Sequence, residues 1–260
     1  MNQPEYISLN KRISSSGFCS RREADKLIEQ GRVMVNENLA LPGERVLLTD
    51  KIYIDDELLK FSSSGKDNTF IIILNKPLQI TCTTDEKDKT NVIRFLNHPK
   101  RIFPIGRLDK DSEGLLFLTN NGDIVNKILR AGNAHEKEYI VTVDKKITHE
   151  FISKMSKGVR ILGTTTLPCK VRQAGSRTFQ IILKQGLNRQ IRRMCESLDY
   201  TVLSLKRTRI MHVQLGSLAT GKWRYLSEPE LKELMSQIET SSNHATASAQ
   251  TVTGKKKLNS

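Results

Sequence analysis

Charged residues that could perform chemistry are concentrated between residues 102 and 123. An apolar run ends at Gly106, a short polar segment follows, and Leu115 to Leu118 reads as a buried strand. The segment between them is therefore predicted to be a loop held by two buried elements, the setting in which catalytic groups are often found. Three carboxylates in it rank equally as candidate acids, bases or nucleophiles: Asp109, Asp111 and Glu113. An isolated Leu-Asp is more often a turn in which the carboxylate accepts a hydrogen bond from its own backbone.

This stretch closely resembles the Gly-Arg-Leu-Asp motif of the pseudouridine synthases, in the family named for the synthase of small-subunit rRNA. The resemblance implies that Asp109 is the catalytic residue. It leaves two roles open for Arg107, which would either fill the space vacated by a flipped base or hold a phosphate.

A second run, from Gln185 to Cys195, predicts a helix capped by Asn188. Its apolar stripe contains Ile191 and Met194, and an adjoining basic stripe contains Arg189, Arg192 and Arg193. The run resembles the third motif of the same family. The resemblance implies that Ile191 packs under the uracil and that Arg192 pairs with Asp109. Arg189 and Arg193 are expected either to touch phosphate or to form a solvated charge run.

Two further residues are assigned by the same resemblance. Residues 136 to 143 alternate as a strand, and the family places a tyrosine at its start, over the target base, which here is Tyr139. Its phenol is also expected to help remove the C5 proton. Asn75-Lys76-Pro77 resembles the start of the family's catalytic domain, so Lys76 is either an RNA contact or a charge at a strand end. Gln79 stands where the family usually has glycine, which predicts a different local turn.

Isomerisation of uridine to pseudouridine breaks the bond from ribose C1′ to base N1 and joins C1′ to C5. No atom is gained or lost, so neither a cofactor nor a metal is expected. The four cysteines lie at no metal-binding spacing and are expected to be reduced. A carboxylate attacks ribose only when ionised, and a neighbouring arginine favours that form.

The N-terminal segment predicts two helices followed by alternating strands. Ser20 and Glu23 fit a capping box at the start of the second helix. The segment resembles an S4 RNA-binding domain, with Glu37 in place of a usual glycine. The resemblance implies RNA contact by four basic residues, whose alternative is a solvated helix face: Lys11, Arg21, Arg22 and Lys26.

Charge points to a polyanionic partner. The net charge is +14, and residues 61–236 carry 30 Lys or Arg against 17 Asp or Glu, whereas residues 1–60 carry nine against ten. The positive field therefore belongs to the central segment, where contact with phosphates is expected, and the basic strand Lys206 to Arg209 is predicted to line a nucleic-acid channel. With neither an apolar run long enough to span a bilayer nor a signal-peptide pattern, the chain is expected to be a cytoplasmic protein without a membrane partner.

The resemblance covers residues 7 to 236 and implies an α+β protein. A small S4-like α/β domain at residues 1–60 is followed by a linker at 61–69, a mixed, largely antiparallel-sheet catalytic domain at 70–238 and a disordered basic tail at 239–260. The implied substrate is 23S rRNA, with tRNA as a second possibility, and a monomer is expected. Two alternatives stay open: an RNA-binding factor without catalysis, and a sister synthase acting on 16S rRNA.

Overall fold

The fold is given by a computed structural model, which describes residues 6–61, 69–129 and 135–239. The chain divides into two compact units between Thr69 and Phe70. Residues 62–68 of the predicted linker and residues 240–260 of the predicted tail lie outside the described residues, whereas Glu239, the first residue of that tail, is helical.

The first unit contains two short helices and six short strands. They are β1 (Ile7–Ser8), α1 (Leu9–Ser15), α2 (Arg21–Glu29), β2 (Val33–Val35), β3 (Asn38–Leu39), β4 (Arg45–Val46), β5 (Ile52–Ile54) and β6 (Glu57–Leu58). The sheet order is β3-β2-β5-β6, and β1 pairs with β4. One apolar core joins helices and sheet, including Leu9, Ile13, Ile28 and Ile52.

The capping box predicted at Ser20 is confirmed. The Ser20 hydroxyl accepts from the Glu23 amide at 3.2 Å, and the Glu23 carboxylate accepts from the Ser20 amide at 2.6 Å. This start fixes which face of α2 is buried: Ala24 and Ile28 point into the core. The opposite face is exposed and basic, carrying Arg21, Arg22 and Lys26, while Lys11 on α1 is partly buried.

Phe61, the first residue of the predicted linker, packs against the core of the first unit. The Arg12 guanidinium lies 3.6 Å from the centre of its ring and donates to the Leu48 carbonyl at 2.9 Å. This cation–π contact holds the end of the unit in place.

The second unit is built on a nine-stranded mixed sheet. Its strands are β7 (Ile71–Lys76), β8 (Phe103–Ile105), β9 (Glu113–Thr119), β10 (Lys137–Val143), β13 (Lys170–Gln173), β14 (Thr178–Leu183), β15 (Val202–Ile210), β16 (Val213–Gln214) and β17 (Trp223–Tyr225), with the small hairpin β11 (Arg160–Ile161) and β12 (Thr164–Thr165) outside it. The main order is β13-β14-β10-β15-β9-β7-β17, with β8 on β9 and β16 on β15. Only β15 and β9 pair in parallel, so the predicted antiparallel character is confirmed.

Helices cover both faces of this sheet: α3 (Val92–Leu96), α4 (Gly122–Leu129), α5 (His149–Lys157), α6 (Gln190–Glu196) and α7 (residues 228–239). One face packs on α3, α5 and α6 through two cores that Tyr139 joins. The other packs on α4 and α7. Side chains cap the starts of α5 and α7: the Thr148 hydroxyl accepts from the Phe151 amide at 3.1 Å, and the Glu230 carboxylate accepts from the Ser227 amide at 2.9 Å.

Candidate active site

The loop of residues 106–112 is fixed at both ends and in the middle. It connects β8 to β9, as the sequence predicts, and Gly106 and Gly114 have φ values of 80° and 105°. Leu108 is buried, and its amide donates to the Cys82 sulfur at 3.3 Å. Burial of Leu108 leaves its neighbours facing outward, so Arg107 is exposed and Asp109 is partly buried.

Asp109 faces an arginine, but not the predicted one. An Arg189 guanidinium nitrogen lies 3.6 Å from its carboxylate, and the Asp109 side chain is 31% exposed. Arg192 instead lies 3.4 Å from the Asp111 carboxylate and donates to the Asp111 carbonyl at 2.7 Å. The predicted pairing of Arg192 with Asp109 is therefore wrong in this structure, and Arg189 takes that place.

Arg189 reaches the loop because α6 begins differently from the prediction. Its N-cap is Arg189, with φ of 48° in the left-handed region, rather than Asn188, and no side chain caps the helix. Asn188 accepts from Arg193 instead, at its carbonyl and its side-chain oxygen. The left-handed conformation of Arg189 turns the chain immediately before α6. The Arg189 side chain therefore contacts the 106–112 loop from a position that precedes the helix.

Asp111 contacts the side chains of both Arg189 and Arg192. Its two carboxylate oxygens accept from Arg189 at 3.1 and 2.9 Å, a bidentate arrangement. This hydrogen bonding lowers the pKa of Asp111 and raises the pKa of Arg189. Arg189 therefore lies between two carboxylates and favours the ionised form of Asp111.

Arg192 is not part of an exposed basic stripe. Its side chain is 9% exposed, and it donates to the Val202 carbonyl at 3.3 Å and to the Ser112 hydroxyl at 3.4 Å. These contacts tie α6 to β15 and to the end of the 106–112 loop. The geometry gives Arg192 a positioning role.

Tyr139 and Ile191 belong to one apolar cluster on the face of the sheet that carries α6. Tyr139 is partly buried and also packs against the second cluster, which contains Leu108 from the 106–112 loop. Ile191 is 5% exposed. A strand aromatic and a helix aliphatic thus border the region below the loop that carries Asp109.

Lys76 is the last residue of β7, so the predicted charge at a strand end is confirmed. Its side chain is fully buried, which leaves no exposed surface for the alternative role of RNA contact. Its ammonium donates to the carbonyls of Pro77 and Ile80 at 2.8 and 2.9 Å, and burial lowers its pKa. Gln79, in the same turn, has φ of 65°, a conformation that glycine favours. Its amide donates to the Lys110 carbonyl at 2.8 Å, which joins this turn to the 106–112 loop.

The basic strand β15 does not line a channel as predicted. Arg207 is buried and donates to the Leu115 carbonyl at 2.7 Å and the Arg107 carbonyl at 3.4 Å. Arg209 is paired with Glu136 and Glu138 at 3.1 and 3.0 Å. Lys206 is the basic residue of this run that is neither buried nor held in an ion pair among the residues that the structure describes.

Arg207 sits in a row of residues that crosses the sheet. Tyr139 is opposite Arg207, Arg207 is opposite Gly114, and Gly114 is opposite Lys76. A Cβ atom on Gly114 would lie 2.3 Å from the Arg207 carbonyl oxygen. Glycine therefore allows β9 and β15 to approach closely, just where the loop that carries Asp109 joins the strand.

Sequence reasoning missed three contributions to the site: Asp111 as the anchor of two arginines, the internal hydrogen bonds of Lys76, and the brace supplied by Arg207. Asp111 was a candidate carboxylate, and its bidentate partner is 78 residues away. Lys76 and Arg207 each lie in a strongly strand-like run, which was the one available sign that their side chains are buried.

Over the part of the chain that the structure describes, no cluster of His, Cys, Asp and Glu could hold a metal ion. Within the same residues, no helix is sufficiently long and apolar to traverse a bilayer. The site offers a carboxylate paired with an arginine, together with an aromatic and an aliphatic side chain of one apolar cluster that could hold a planar base.

Comparison with known proteins agrees with this arrangement. The RNA pseudouridylate synthase family matches residues 70–197, and the S4 domain matches residues 8–52. The dual-specificity RNA pseudouridine synthase RluF of Salmonella typhi is 55% identical over 91% of this chain and 81% of its own length. Ribosomal large subunit pseudouridine synthase B of Bacillus subtilis is 34% identical over 87% of this chain and 94% of its own length.

A solved structure shares the fold as well. A crystal structure of a pseudouridylate synthase is 28% identical, covers 88% of this chain and 99% of its own, and superimposes with a TM-score of 0.64. With the fold, the S4 domain and relatives above 50% identity in agreement, the chain belongs to the RNA pseudouridine synthases and isomerises uridine in RNA.

Proposed function

We propose that this enzyme converts a uridine in a folded region of 23S rRNA to pseudouridine, acts on tRNA as a second substrate, and works as a monomer in the cytoplasm. Relatives named dual-specificity synthases, and one named for the large ribosomal subunit, support this choice of RNA.

The observation that carries the catalytic proposal is the pairing of Asp109 with Arg189 on a loop fixed at three points. Asp109 attacks the ribose or assists departure of the base while the bond from C1′ to N1 breaks. The base turns and C5 joins C1′; where Asp109 has attacked C1′, that C1′–O bond breaks in the same step and the carboxylate leaves. C5 then loses its proton and N1 gains one, so no atom is gained or lost. Arg189 pairs with the Asp109 carboxylate, and Asp111 holds Arg189 in place by two hydrogen bonds.

Tyr139 and Ile191 receive the base once it has left its stack. Leaving a stack costs a few kcal/mol, and stacking on an aromatic ring returns about 1 to 3 kcal/mol. The Tyr139 phenol assists removal of the C5 proton. Exposed Arg107, in the 106–112 loop, holds a phosphate or occupies the space of the flipped base.

Exposed Arg21, Arg22 and Lys26, with Lys11 beside them, form the RNA-binding face of the S4 domain in this proposal. Replacing Arg21 and Arg22 by alanine is expected to weaken RNA binding and to reduce the slope of log Kd against log salt by about 1.4, or 0.7 per phosphate contact. Alanine at Lys51 and Lys60 removes the same charge away from α2 and serves as the control. An equal change in slope for both pairs would assign the effect to net charge and refute the assigned face.

The substrate is tested by mapping pseudouridine in rRNA and tRNA from cells with the wild-type gene, without it, and with Asp109→Asn. One 23S rRNA position and one tRNA position lost in both the null and the variant are expected. Loss at a 16S position instead would replace the substrate with that of a sister synthase. Unchanged maps would favour an RNA-binding factor without catalysis in stable RNA.

A further inference from the structure

An aromatic cluster at the open edge of the catalytic sheet has no part in the site described above. It consists of Phe70, His98, Trp223 and Tyr225, with ring centroids 5.3 to 6.1 Å apart in the neighbouring pairs. We call it the aromatic edge. Trp223 and Tyr225 are 38% and 48% exposed, a large aromatic area for one short strand.

The aromatic edge lies on the same face of the sheet as Tyr139. In the pairing of β17 with β7, Trp223 is opposite Leu74 and Tyr225 is opposite Ile72. Directly opposed residues project from the same face, and Leu74 and Ile72 belong to the core that Tyr139 contacts. Tyr139 and the aromatic edge therefore lie on the same side of the sheet, the side that carries α3, α5 and α6. An RNA can reach both without crossing to the other side.

The distance from the site follows from the register. The row from Tyr139 to Lys76 spans three strand spacings, and Trp223 lies one strand further and two residues back along β7. At about 4.8 Å per strand and about 3.3 Å per residue, Tyr139 and Trp223 are roughly 20 Å apart. That separation equals about six nucleotides of stacked strand at about 3.4 Å each.

The rings are held in a fixed arrangement. The Tyr225 hydroxyl lies 2.8 Å from the His98 Nε2 atom, and the Lys100 amide donates to Nδ1 of the same ring at 3.1 Å. Trp223 and Tyr225 meet edge to face at 84°. A ring that presents its edge keeps both of its faces out of that contact, so the cluster retains surface on which a further flat group can stack.

The charged residues around the aromatic edge indicate what kind of partner would bind there. Exposed Lys100 and Lys222 flank the rings, and the Lys100 ammonium lies 5.7 Å from the centre of Phe70. Glu230, the acidic residue near this strand, is bound to Arg224, which alternates to the other face of β17. Aromatic rings interleaved with lysines are the pattern by which proteins bind single-stranded nucleic acid.

We propose that the aromatic edge stacks one or two unpaired bases of the same RNA in which the target uridine lies, about six nucleotides from it. The proposal rests on the enzyme's proposed action on a folded rRNA region, in which unpaired bases flank the target. In this proposal the aromatic edge contributes to the affinity for the substrate and not to the chemical step.

The chain contains a single tryptophan, Trp223, so its fluorescence reports directly on the aromatic edge. The full-length protein is titrated with a twelve-nucleotide oligouridylate and with an RNA duplex of equal length. Saturable quenching by the single strand, and much weaker quenching by the duplex, is expected. Binding of the oligouridylate without any change in Trp223 emission would overturn the proposal. The same result is expected if another part of this chain, or a second copy, covers the aromatic edge.

Affinity for the same fluorescein-labelled oligouridylate is then measured by anisotropy. Trp223→Ala and Tyr225→Ala are each expected to weaken binding about tenfold, the loss typical of one stacked base, whereas Trp223→Phe retains affinity. Leu203→Ala, at a residue 61% exposed on β15, is the control for loss of surface apolar area. Equal affinities for Trp223→Ala, Leu203→Ala and wild type would overturn the assignment.

The same variants separate this proposal from the proposed function. Trp223→Ala should raise KM for an rRNA fragment about tenfold with kcat unchanged. If the wild-type protein forms no pseudouridine in rRNA but oligouridylate still quenches Trp223, the substrate assignment fails and the aromatic edge stands. If pseudouridine forms normally and Trp223→Ala leaves KM unchanged, the aromatic edge fails alone.

Discussion

Gly114→Ala is expected both to destabilise the catalytic unit and to lower kcat at the candidate active site. The added Cβ would lie 2.3 Å from the carbonyl oxygen and 2.7 Å from the nitrogen of Arg207, whereas ordinary van der Waals contact begins at 3.4 Å. Both are backbone atoms, so no side-chain rotation relieves the clash, and β9 and β15 must separate. The φ of 105° adds strain for any residue with a Cβ.

The magnitude follows from two contributions. Overpacking costs about 1 to 3 kcal/mol, and the unfavourable backbone conformation costs about 1 to 3 kcal/mol. The sum, about 2 to 6 kcal/mol, is a large part of the stability of a typical domain. For a unit of this size, at about 2 to 4 °C per kcal/mol, we expect Tm to fall by about 4 to 24 °C.

The assay is thermal unfolding followed by Trp223 fluorescence, which reports on the catalytic unit alone because the chain has no other tryptophan. Gly122→Ala is the matched control, since a Cβ there meets nothing within 4 Å. In the surviving folded fraction at low temperature, kcat should fall about a hundredfold, because separation of the strands moves Asp109 relative to Tyr139 by about 1 Å. A Tm and kcat for Gly114→Ala equal to those of Gly122→Ala would refute the reasoning.

Two further predictions concern charge. Asp111→Asn removes the carboxylate that holds Arg189 by two hydrogen bonds, so kcat should fall about tenfold or more while RNA affinity is retained; an unchanged kcat in single-turnover kinetics would show that Arg189 needs no anchor. The pKa of Glu230 is lowered to about 2 by its bond to Arg224, so this carboxylate stabilises the fold above its unfolded pKa near 4.5, and the stabilisation is lost as pH falls toward 2. Glu230→Gln should therefore lower the free energy of unfolding by about 1 kcal/mol at pH 7 and progressively less below pH 4.5, measured by urea titration; a difference that does not depend on pH would contradict this account.

Local patterns predicted the local structure well. The capping boxes at Ser20 and Ser227 each satisfy backbone groups within four residues, so sequence spacing alone determines them. The strands on either side of the 106–112 loop were likewise readable, because an uninterrupted apolar run between glycines is typical of a strand buried on both faces.

The contacts between distant segments could not be read in the same way. Which arginine of three meets Asp109 depends on the left-handed conformation of Arg189, and no pattern required that conformation of an arginine. A helix that started at Asn188 would have presented another residue to the loop. Lys76 shows the same limit, because its buried ammonium is satisfied by carbonyls of a turn whose path only the tertiary structure fixes.

The central claim is that Asp109 performs the chemistry, and the most direct measurement compares Asp109→Asn with the wild type on one target RNA under single-turnover conditions. We expect pseudouridine formation to fall at least about a thousandfold while Kd for the RNA stays within about threefold. Asp199→Asn, at an exposed carboxylate with φ of 62°, should match the wild type in both quantities. Pseudouridine formation by Asp109→Asn at the wild-type rate would contradict the account.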